Sequence, residues 1–171
     1  MSDLPELPGL IRFPLARRFM MTGLMSGLTL ATTRVEAQVI HTDTTGIDAG
    51  EAQVTVADGA VPTYYARPAG PGPFPIVLVN EEIFGVHDYI KDICRRLAKA
   101  GYVAVAPEIY ARLADLAKIT DFSAIFRDVV GRAPDATALS DMDAAVAWAA
   151  ANGGDGARVG VVGFCRGGRN T

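Results

Sequence analysis

A cysteine inside a glycine-rich turn is the residue of this chain best placed to do chemistry. The segment 163–168 (GFCRGG) follows a run of β-branched residues, 158–162, which predicts a buried strand ending just before Cys165. Gly163, Gly167 and Gly168 lack side chains where a sharp strand-to-helix turn needs positive φ or close backbone contact. The pattern is typical of a nucleophile elbow in which cysteine replaces serine.

A thiol at such an elbow would face the first NH groups of the following helix, whose partial positive charge stabilises a thiolate. The competing interpretation is a small buried hydrophobe in a tight turn. The glycines around Cys165 favour the nucleophile. The second cysteine, Cys94, lies on the apolar stripe of a predicted helix, so we expect two free thiols and no disulfide.

The elements that position Cys165 alternate between strands and helices, which predicts an α/β fold with a mostly parallel sheet and flanking helices. In such folds, reactive groups gather at the carboxyl ends of the strands, where Cys165 and the loop after strand 76–79 both lie. The expected order is a hairpin around Asp58-Gly59 (53–67), strand 76–79, a helix ended by Gly101, strand 102–106, an irregular helical stretch (113–130), a helix capped by Ser140, and the strand before the elbow.

Three motifs carry a resemblance to a known family: EIFGV at 82–86, APEIYAR at 106–112 and GFCRGG at 163–168. In this order and spacing they resemble the dienelactone hydrolases, the carboxymethylenebutenolidase family of α/β-hydrolases, over about residue 51 to the end. The resemblance implies hydrolysis of a lactone or related carboxylic ester, a small-molecule substrate, without a metal or organic cofactor. The individual substrate stays open.

The resemblance also implies roles for single residues. Cys165 matches the nucleophile, which forms an acyl-thioenzyme that water then cleaves. Glu82 matches a carboxylate that assists in generating the thiolate. The backbone NH groups of Ile83 and Arg166 match the oxyanion hole. For Glu82 the alternative is a solvated loop carboxylate, as its neighbour Glu81 illustrates.

The aspartate and histidine of the family's triad would follow the nucleophile, where only 166–171 remain. We therefore expect the C-terminal part of the fold to be missing and the chain as given to turn over no ester by itself. A catalytically inactive remnant is the alternative function. His87, near the same sheet edge, could replace the base, but a surface or capping role is commoner. Arg127 and Arg132 could bind a carboxylate or be solvated charges.

Composition indicates one soluble globular domain, because 50% of the residues are apolar, 20% are charged and the net charge is -3. There is no basic surplus for nucleic-acid binding. The absence of a C-x-x-C motif disfavours a redox thiol protein. Nothing in the sequence indicates an oligomeric state.

The N-terminus has the order of a twin-arginine export signal: Arg17-Arg18, an apolar stretch to Thr33, and small residues at Val35 and Ala37. The apolar stretch of about 15 residues is shorter than the roughly 20 that a spanning helix needs, so we expect no stable membrane anchor. The sequence predicts a signal at 1–37, a linker at 38–50 and the hydrolase domain at 51–171. Export to the periplasm follows, with a cytoplasmic location as the alternative.

Overall fold

Five strands form one mixed sheet in the computed structural model, which describes residues 40–119 and 121–171. The predicted signal segment, 1–37, lies outside the described residues. The strand order is β1-β2-β4-β3-β5. The pairs β1/β2 and β2/β4 are antiparallel, and β3/β4 and β3/β5 are parallel. The strands are β1 (Ile47–Val56), β2 (Gly59–Pro68), β3 (Phe74–Asn80), β4 (Val103–Pro107) and β5 (Gly154–Gly163).

The hairpin predicted at Asp58-Gly59 joins β1 to β2 in continuous register. An Asp-Gly turn of this kind is expected to take positive φ at both residues. Gly59 does so, with a φ of 145°, and Asp58 does not. β1 begins at Ile47, so 47–50 of the predicted linker belong to this strand.

Two long helices cover β3 and β4 from opposite faces, because alternate strand residues point to opposite sides. Helix α1 (Asp88–Lys99) packs Ile90, Cys94 and Ala98 against Val79 and neighbouring alanines. Helix α2 (Asp135–Ala151) packs its apolar residues on the other face, against Ile76, Leu78, Val103 and Val105. The α/β architecture with flanking helices is confirmed, and so is the core position of Cys94, which is fully buried.

The segment between β4 and α2 is irregular, as predicted. Its short helical turns are Leu116–Lys118, Phe122–Ala124, Ile125–Val129 and Val130–Arg132. The predicted cap at Ser140 is wrong, because α2 begins at Asp135 and Ser140 lies inside the helix. Pro134 occupies the N-cap position, and Asp135 places a negative charge in the first turn, where the helix dipole favours it.

The strand before the elbow, β5, is more exposed than predicted. Val159 and Val161 are 42% and 46% exposed, although their β-branched run predicted a buried strand. The reason is position, since β5 is the edge strand of the described sheet and pairs with β3 on one side. No helix among the described residues is long and apolar enough to cross a membrane.

Candidate active site

Cys165 occupies a sharp turn between β5 and a short 3₁₀ helix, Cys165–Asn170. Its φ is 51°, and it is the one non-glycine residue with positive φ in the described chain. Such a conformation is uncommon for a residue with a side chain and persists only where the surroundings enforce it. The cysteine is exposed. The turn therefore presents the thiol outward at the carboxyl end of β5, as an elbow requires.

The glycines of the elbow serve close backbone contact, as predicted, but none of them has the positive φ that was the other predicted role, which falls on Cys165. A Cβ on Gly163 would lie 2.5 Å from the carbonyl carbon of Gly167. A Cβ on Gly167 would lie 2.6 Å from the carbonyl oxygen of Asn80. At Gly168 the nearest atom would be 3.5 Å away, an ordinary contact. Only Gly163 and Gly167 are thus required sterically.

The elbow rests directly on the end of β3. Phe164 N donates to the carbonyl oxygen of Asn80 at 3.2 Å, and Gly167 N donates to that of Phe164 at 2.8 Å. Asn80 is the last residue of β3, so the following residues, Glu81 and Glu82, enter the same corner of the molecule. The structure thereby places the two predicted site segments, 80–85 and 163–168, against each other.

Ile83 anchors the loop that follows β3. Its side chain is 2% exposed and packs with Ile109, Tyr110 and Leu116. Glu82 and Gly85 form an isolated bridge, and Gly85 reverses the chain with a φ of 80°. A fixed loop of this kind holds backbone NH groups in set directions. The oxyanion roles of the Ile83 and Arg166 NH groups stay predictions.

Glu82 is held by His87 and is not a free solvated carboxylate. Its Oε2 lies 3.1 Å from Nε2 of His87, and the two side chains are 26% and 35% exposed. His87 is the N-cap residue of α1, as considered above, but it caps the helix through its backbone carbonyl, which accepts from Lys91 N at 3.0 Å, and its side chain makes no cap bond. Among the hydrogen bonds of the described residues, His87 pairs with Glu82 and not with the Cys165 thiol. The structure thus shows a carboxylate–histidine pair where a cysteine–histidine dyad was considered.

Aromatic rings connect this pair to the elbow. The His87 ring stacks on Tyr89 with centroids 6.3 Å apart. Tyr89 in turn meets Phe164 edge to face at 5.9 Å. Phe164 directly precedes Cys165 in the chain. A series of ring contacts therefore runs from the Glu82–His87 pair to the residue that precedes the nucleophile.

Glu81 is a buried acid that sequence reasoning treated as an ordinary loop residue. It is 1% exposed, and neither carboxyl oxygen has a hydrogen-bond partner in good geometry. Burial first, and the nearby Glu108 carboxylate second, raise the pKa of Glu81 well above its usual value, against a smaller opposing effect of the Ile109 and Tyr110 NH groups. The sequence holds one signal for this burial. If the alternation of side chains along β3 continues one residue past Asn80, Glu81 points to the same face as the buried Val79.

The residue after the nucleophile, Arg166, is fixed by two partners. Its Nη2 donates to Asp135 Oδ1 at 2.6 Å, and its Nη1 donates to Asn170 Oδ1 at 3.0 Å. Arg169 donates from Nη2 to the other Asp135 oxygen, also at 2.6 Å. One carboxylate at the start of α2 therefore binds two arginines of the elbow helix. Sequence reasoning missed Asp135, because it placed the helix start too late.

The other arginines considered above have structural or surface partners. Arg127 and Arg132, 67% and 72% exposed, pair with Asp128 at 2.8 and 4.0 Å, as expected of solvated charges. Arg112 donates to the buried Asp141 at 2.7 Å and so braces α2. No three His, Cys, Asp or Glu side chains in the described ranges are grouped as a metal site would require.

Comparisons with known proteins identify the family of the chain. The profile of the dienelactone hydrolase family matches residues 61–171. A protein of Methylorubrum extorquens named "Putative carboxymethylenebutenolidase" is 52% identical over 157 residues, which cover 91% of this chain and 54% of the relative. The chain thus spans about half the length of the curated relatives it matches.

Solved structures show the same similarity. A Klebsiella pneumoniae structure named "Putative Dienelactone Hydrolase" superposes with a TM-score of 0.69 at 47% identity, over 71% of this chain and 51% of that one. A dienelactone hydrolase-like promiscuous phosphotriesterase from metagenomic libraries gives a TM-score of 0.59 at 27% identity, over 73% and 52%. Because the family profile matches residues 61–171 and a relative is 52% identical over 91% of this chain, the chain belongs to the dienelactone hydrolase family.

Proposed function

We propose that this protein hydrolyses a lactone or related carboxylic ester and that Cys165 is its nucleophile. The observation that carries the proposal is the conformation of Cys165, exposed and at positive φ on an elbow that rests on β3 beside the Glu82 loop. A left-handed conformation at a non-glycine residue is a cost that persists where function requires it. Membership of the dienelactone hydrolase family supports the reaction class.

The proposed reaction begins with loss of the thiol proton to Glu82, whose Oε2 is bonded to His87. The thiolate attacks the ester carbonyl, and the carbonyl electron pair moves to an oxygen held by the NH groups of Ile83 and Arg166. Collapse of this intermediate breaks the bond between the carbonyl carbon and the alkoxy oxygen, the leaving alkoxide takes up the proton held by Glu82, and a thioester remains on Cys165. Water then adds to the thioester, releasing the acid and restoring the thiol.

The second half of the reaction needs a base for water. The resemblance assigns that role to a histidine oriented by an aspartate, both later in the chain than the nucleophile. We therefore propose that the chain as given is acylated once and does not turn over. The alternative is an inactive remnant of the fold, in which Cys165 would not be acylated at all.

Mixing the chain with p-nitrophenyl acetate is expected to release about one equivalent of p-nitrophenolate and to leave one acetyl group on Cys165. Peptide mass spectrometry locates the acetyl group. Cys94 is the internal control, because burial raises the pKa of its thiol to about 12 and keeps it out of reach of the reagent. Cys165→Ala should show no burst.

Glu82→Gln should slow this acylation by about 10²-fold, a typical effect of losing a general base. Glu51→Gln, which removes an exposed carboxylate of β1, is the matched control and should leave the rate unchanged. An unchanged rate in Glu82→Gln would remove Glu82 from the mechanism. Acetylation elsewhere than Cys165, or steady turnover of the ester, would contradict the proposed nucleophile or the proposed need for later residues.

We also propose export through the N-terminal signal. The order of its charged, apolar and cleavage regions supports the proposal. N-terminal sequencing of the protein from a periplasmic fraction should begin at Gln38. Folded protein with an intact Met1 in the cytoplasm, and none in the periplasmic fraction, would contradict it.

A further inference from the structure

His87 binds the carboxylate that the proposed reaction uses as its first base. Its Nε2 lies 3.1 Å from Oε2 of Glu82, and both side chains are partly buried. An ionised carboxylate only accepts hydrogen bonds, so Nε2 carries the proton and donates it to the bond. No hydrogen bond of the described side chains goes to Oε1 of Glu82. One oxygen of Glu82 is therefore occupied, and the other is left to take up a proton.

Both partners of this hydrogen bond are attached to fixed parts of the fold. Glu82 lies two residues after the end of β3 and directly before the buried Ile83. His87 is the N-cap residue of α1, where its carbonyl oxygen accepts from Lys91 N at 3.0 Å and its ring stacks on Tyr89. The hydrogen bond thus joins the loop carboxylate to a helix that the core holds in place. A glutamate side chain without such a partner distributes over several rotamers.

The nearest cation along α1 has other partners. Lys91 lies one turn after His87, but its Nζ donates to Glu51 at 2.6 Å and lies over the ring of Tyr64. In the ion pairs of residues 40–119 and 121–171, Glu82 pairs with His87. Within that part of the chain, the direction of the Glu82 carboxylate therefore depends on the His87 side chain.

We propose that His87 is a positioning residue, which holds Oε2 of Glu82 and thereby leaves Oε1 as the oxygen that accepts the proton of the Cys165 thiol. This inference rests on the proposed function, since it assumes that Glu82 takes up this proton. In that step the S–H bond breaks, its electron pair stays on sulfur, and the proton moves to Oε1. His87 keeps its own proton on Nε2 and needs no contact with the thiol, unlike the base of a cysteine–histidine dyad.

Two substitutions separate the hydrogen bond of His87 from its ring. His87→Gln keeps an NH donor at nearly the reach of Nε2 and removes the ring, whereas His87→Phe keeps a ring beside Tyr89 and removes the donor. Acetylation of Cys165 by p-nitrophenyl acetate is expected to slow by about 10-fold in His87→Phe, because the base is then misplaced. In His87→Gln we expect most of this loss to be recovered, to within about two-fold of the parent rate.

A double substitution tests whether His87 acts through Glu82. In a chain that carries Glu82→Gln, adding His87→Phe should slow acetylation no further, because the group that His87 positions is already lost. A merely structural effect of His87 on the elbow would persist in this background. His41→Phe is the matched control, since His41 is exposed and precedes β1, and it should leave the rate unchanged. Protection of the buried Cys94 from labelling shows in each variant that α1 is still packed.

A parental rate in His87→Phe overturns the proposal, and so does an equal loss in His87→Gln, which would show that the NH donor does not suffice. A further loss in the double variant overturns it as well. If His87→Phe fails to fold, His87→Leu, which lacks both ring and donor, is compared with His87→Gln, and equal rates overturn the proposal.

Failure of the proposed function gives a different result from failure of this inference. The first appears as a parent chain in which p-nitrophenyl acetate leaves no acetyl group on Cys165, and it rejects the role of His87 as well. The second appears as a parent chain that is acetylated at Cys165 while the His87 variants depart from the expected order of rates.

Discussion

Glu81→Gln is expected to raise the free energy of unfolding at pH 7 and to flatten the loss of stability that we expect of the parent chain as the pH rises above 4.5. Glu81 is buried, neither of its carboxyl oxygens has a hydrogen-bond partner in good geometry, and burial with the nearby Glu108 charge raises its folded-state pKa well above 4.5. Glutamine has nearly the same shape and no charge to desolvate. The substitution therefore removes a group whose ionisation the folded protein resists.

The direction of this change in the free energy of unfolding with pH follows from how many protons the folded and unfolded chains bind. Below pH 4.5 the carboxyl is protonated in both states, and its contribution to stability is fully present. As the pH rises, the unfolded chain releases the proton while the folded chain keeps it, so the free energy of unfolding falls by up to about 1.4 kcal/mol per pH unit until the folded-state pKa is passed.

Urea unfolding of both proteins across pH 4 to 8 measures this effect. The control is Glu51→Gln, whose carboxylate is 66% exposed and should leave the pH profile of the parent unchanged. Parallel profiles for Glu81→Gln and the parent would show that the Glu81 carboxyl is already ionised in the folded state.

Gly167→Ala is expected to separate the elbow from the end of β3. The added Cβ would lie 2.6 Å from the carbonyl oxygen of Asn80 and closer still to that of Glu81, and backbone at the end of a central strand cannot move aside cheaply. The bond from Phe164 N to Asn80 O would be lost. Because Cys165 and Arg166 NH would leave their positions, the acylation rate should fall by about 10²- to 10³-fold, as when an oxyanion donor is removed.

Gly168→Ala is the matched control one residue away, since its Cβ would make an ordinary contact of 3.5 Å. Rates of acetylation at Cys165 by p-nitrophenyl acetate compare the two variants, and amide hydrogen exchange at Phe164 reports the separation directly. Parental acylation in Gly167→Ala, or an equal loss in Gly168→Ala, would contradict the steric explanation.

Much of this fold could be predicted because the spacing of apolar residues along the chain indicates which of them are buried. The apolar stripe through Cys94 located α1 and its core face, and Asp58-Gly59 located the hairpin. The same spacing does not indicate which strands are neighbours in the sheet. The β-branched residues of β5 therefore predicted a buried strand, although β5 is an edge strand. The start of α2 was misplaced for a related reason: apolar spacing marks the packed part of a helix, and Pro134 marks its beginning.

The candidate site was predictable in its segments and not in its contacts. The three motifs identified the elbow and the loop after β3, which the structure brings together through Asn80. Adjacent acids, however, have opposite environments: Glu81 is buried, and Glu82 faces His87. Only the direction of each side chain from the backbone decides between them. The role of Asp135 could not be predicted either, because its two arginine partners lie more than 30 positions later in the chain.

The burial of Cys94 has a practical consequence for studying this chain. One thiol is exposed and the other is 0% exposed in the centre of the packing between α1 and the sheet. A thiol reagent therefore measures two processes in one sample. The rate of modification of Cys165 reports the reactivity of the elbow thiol, whereas modification of Cys94 requires the packing of α1 on the sheet to open. Under conditions where reclosing is faster than labelling, the slow rate at Cys94 gives the free energy of that opening. The rate at which Cys94 is labelled thus measures the conformational stability of the protein without an added probe.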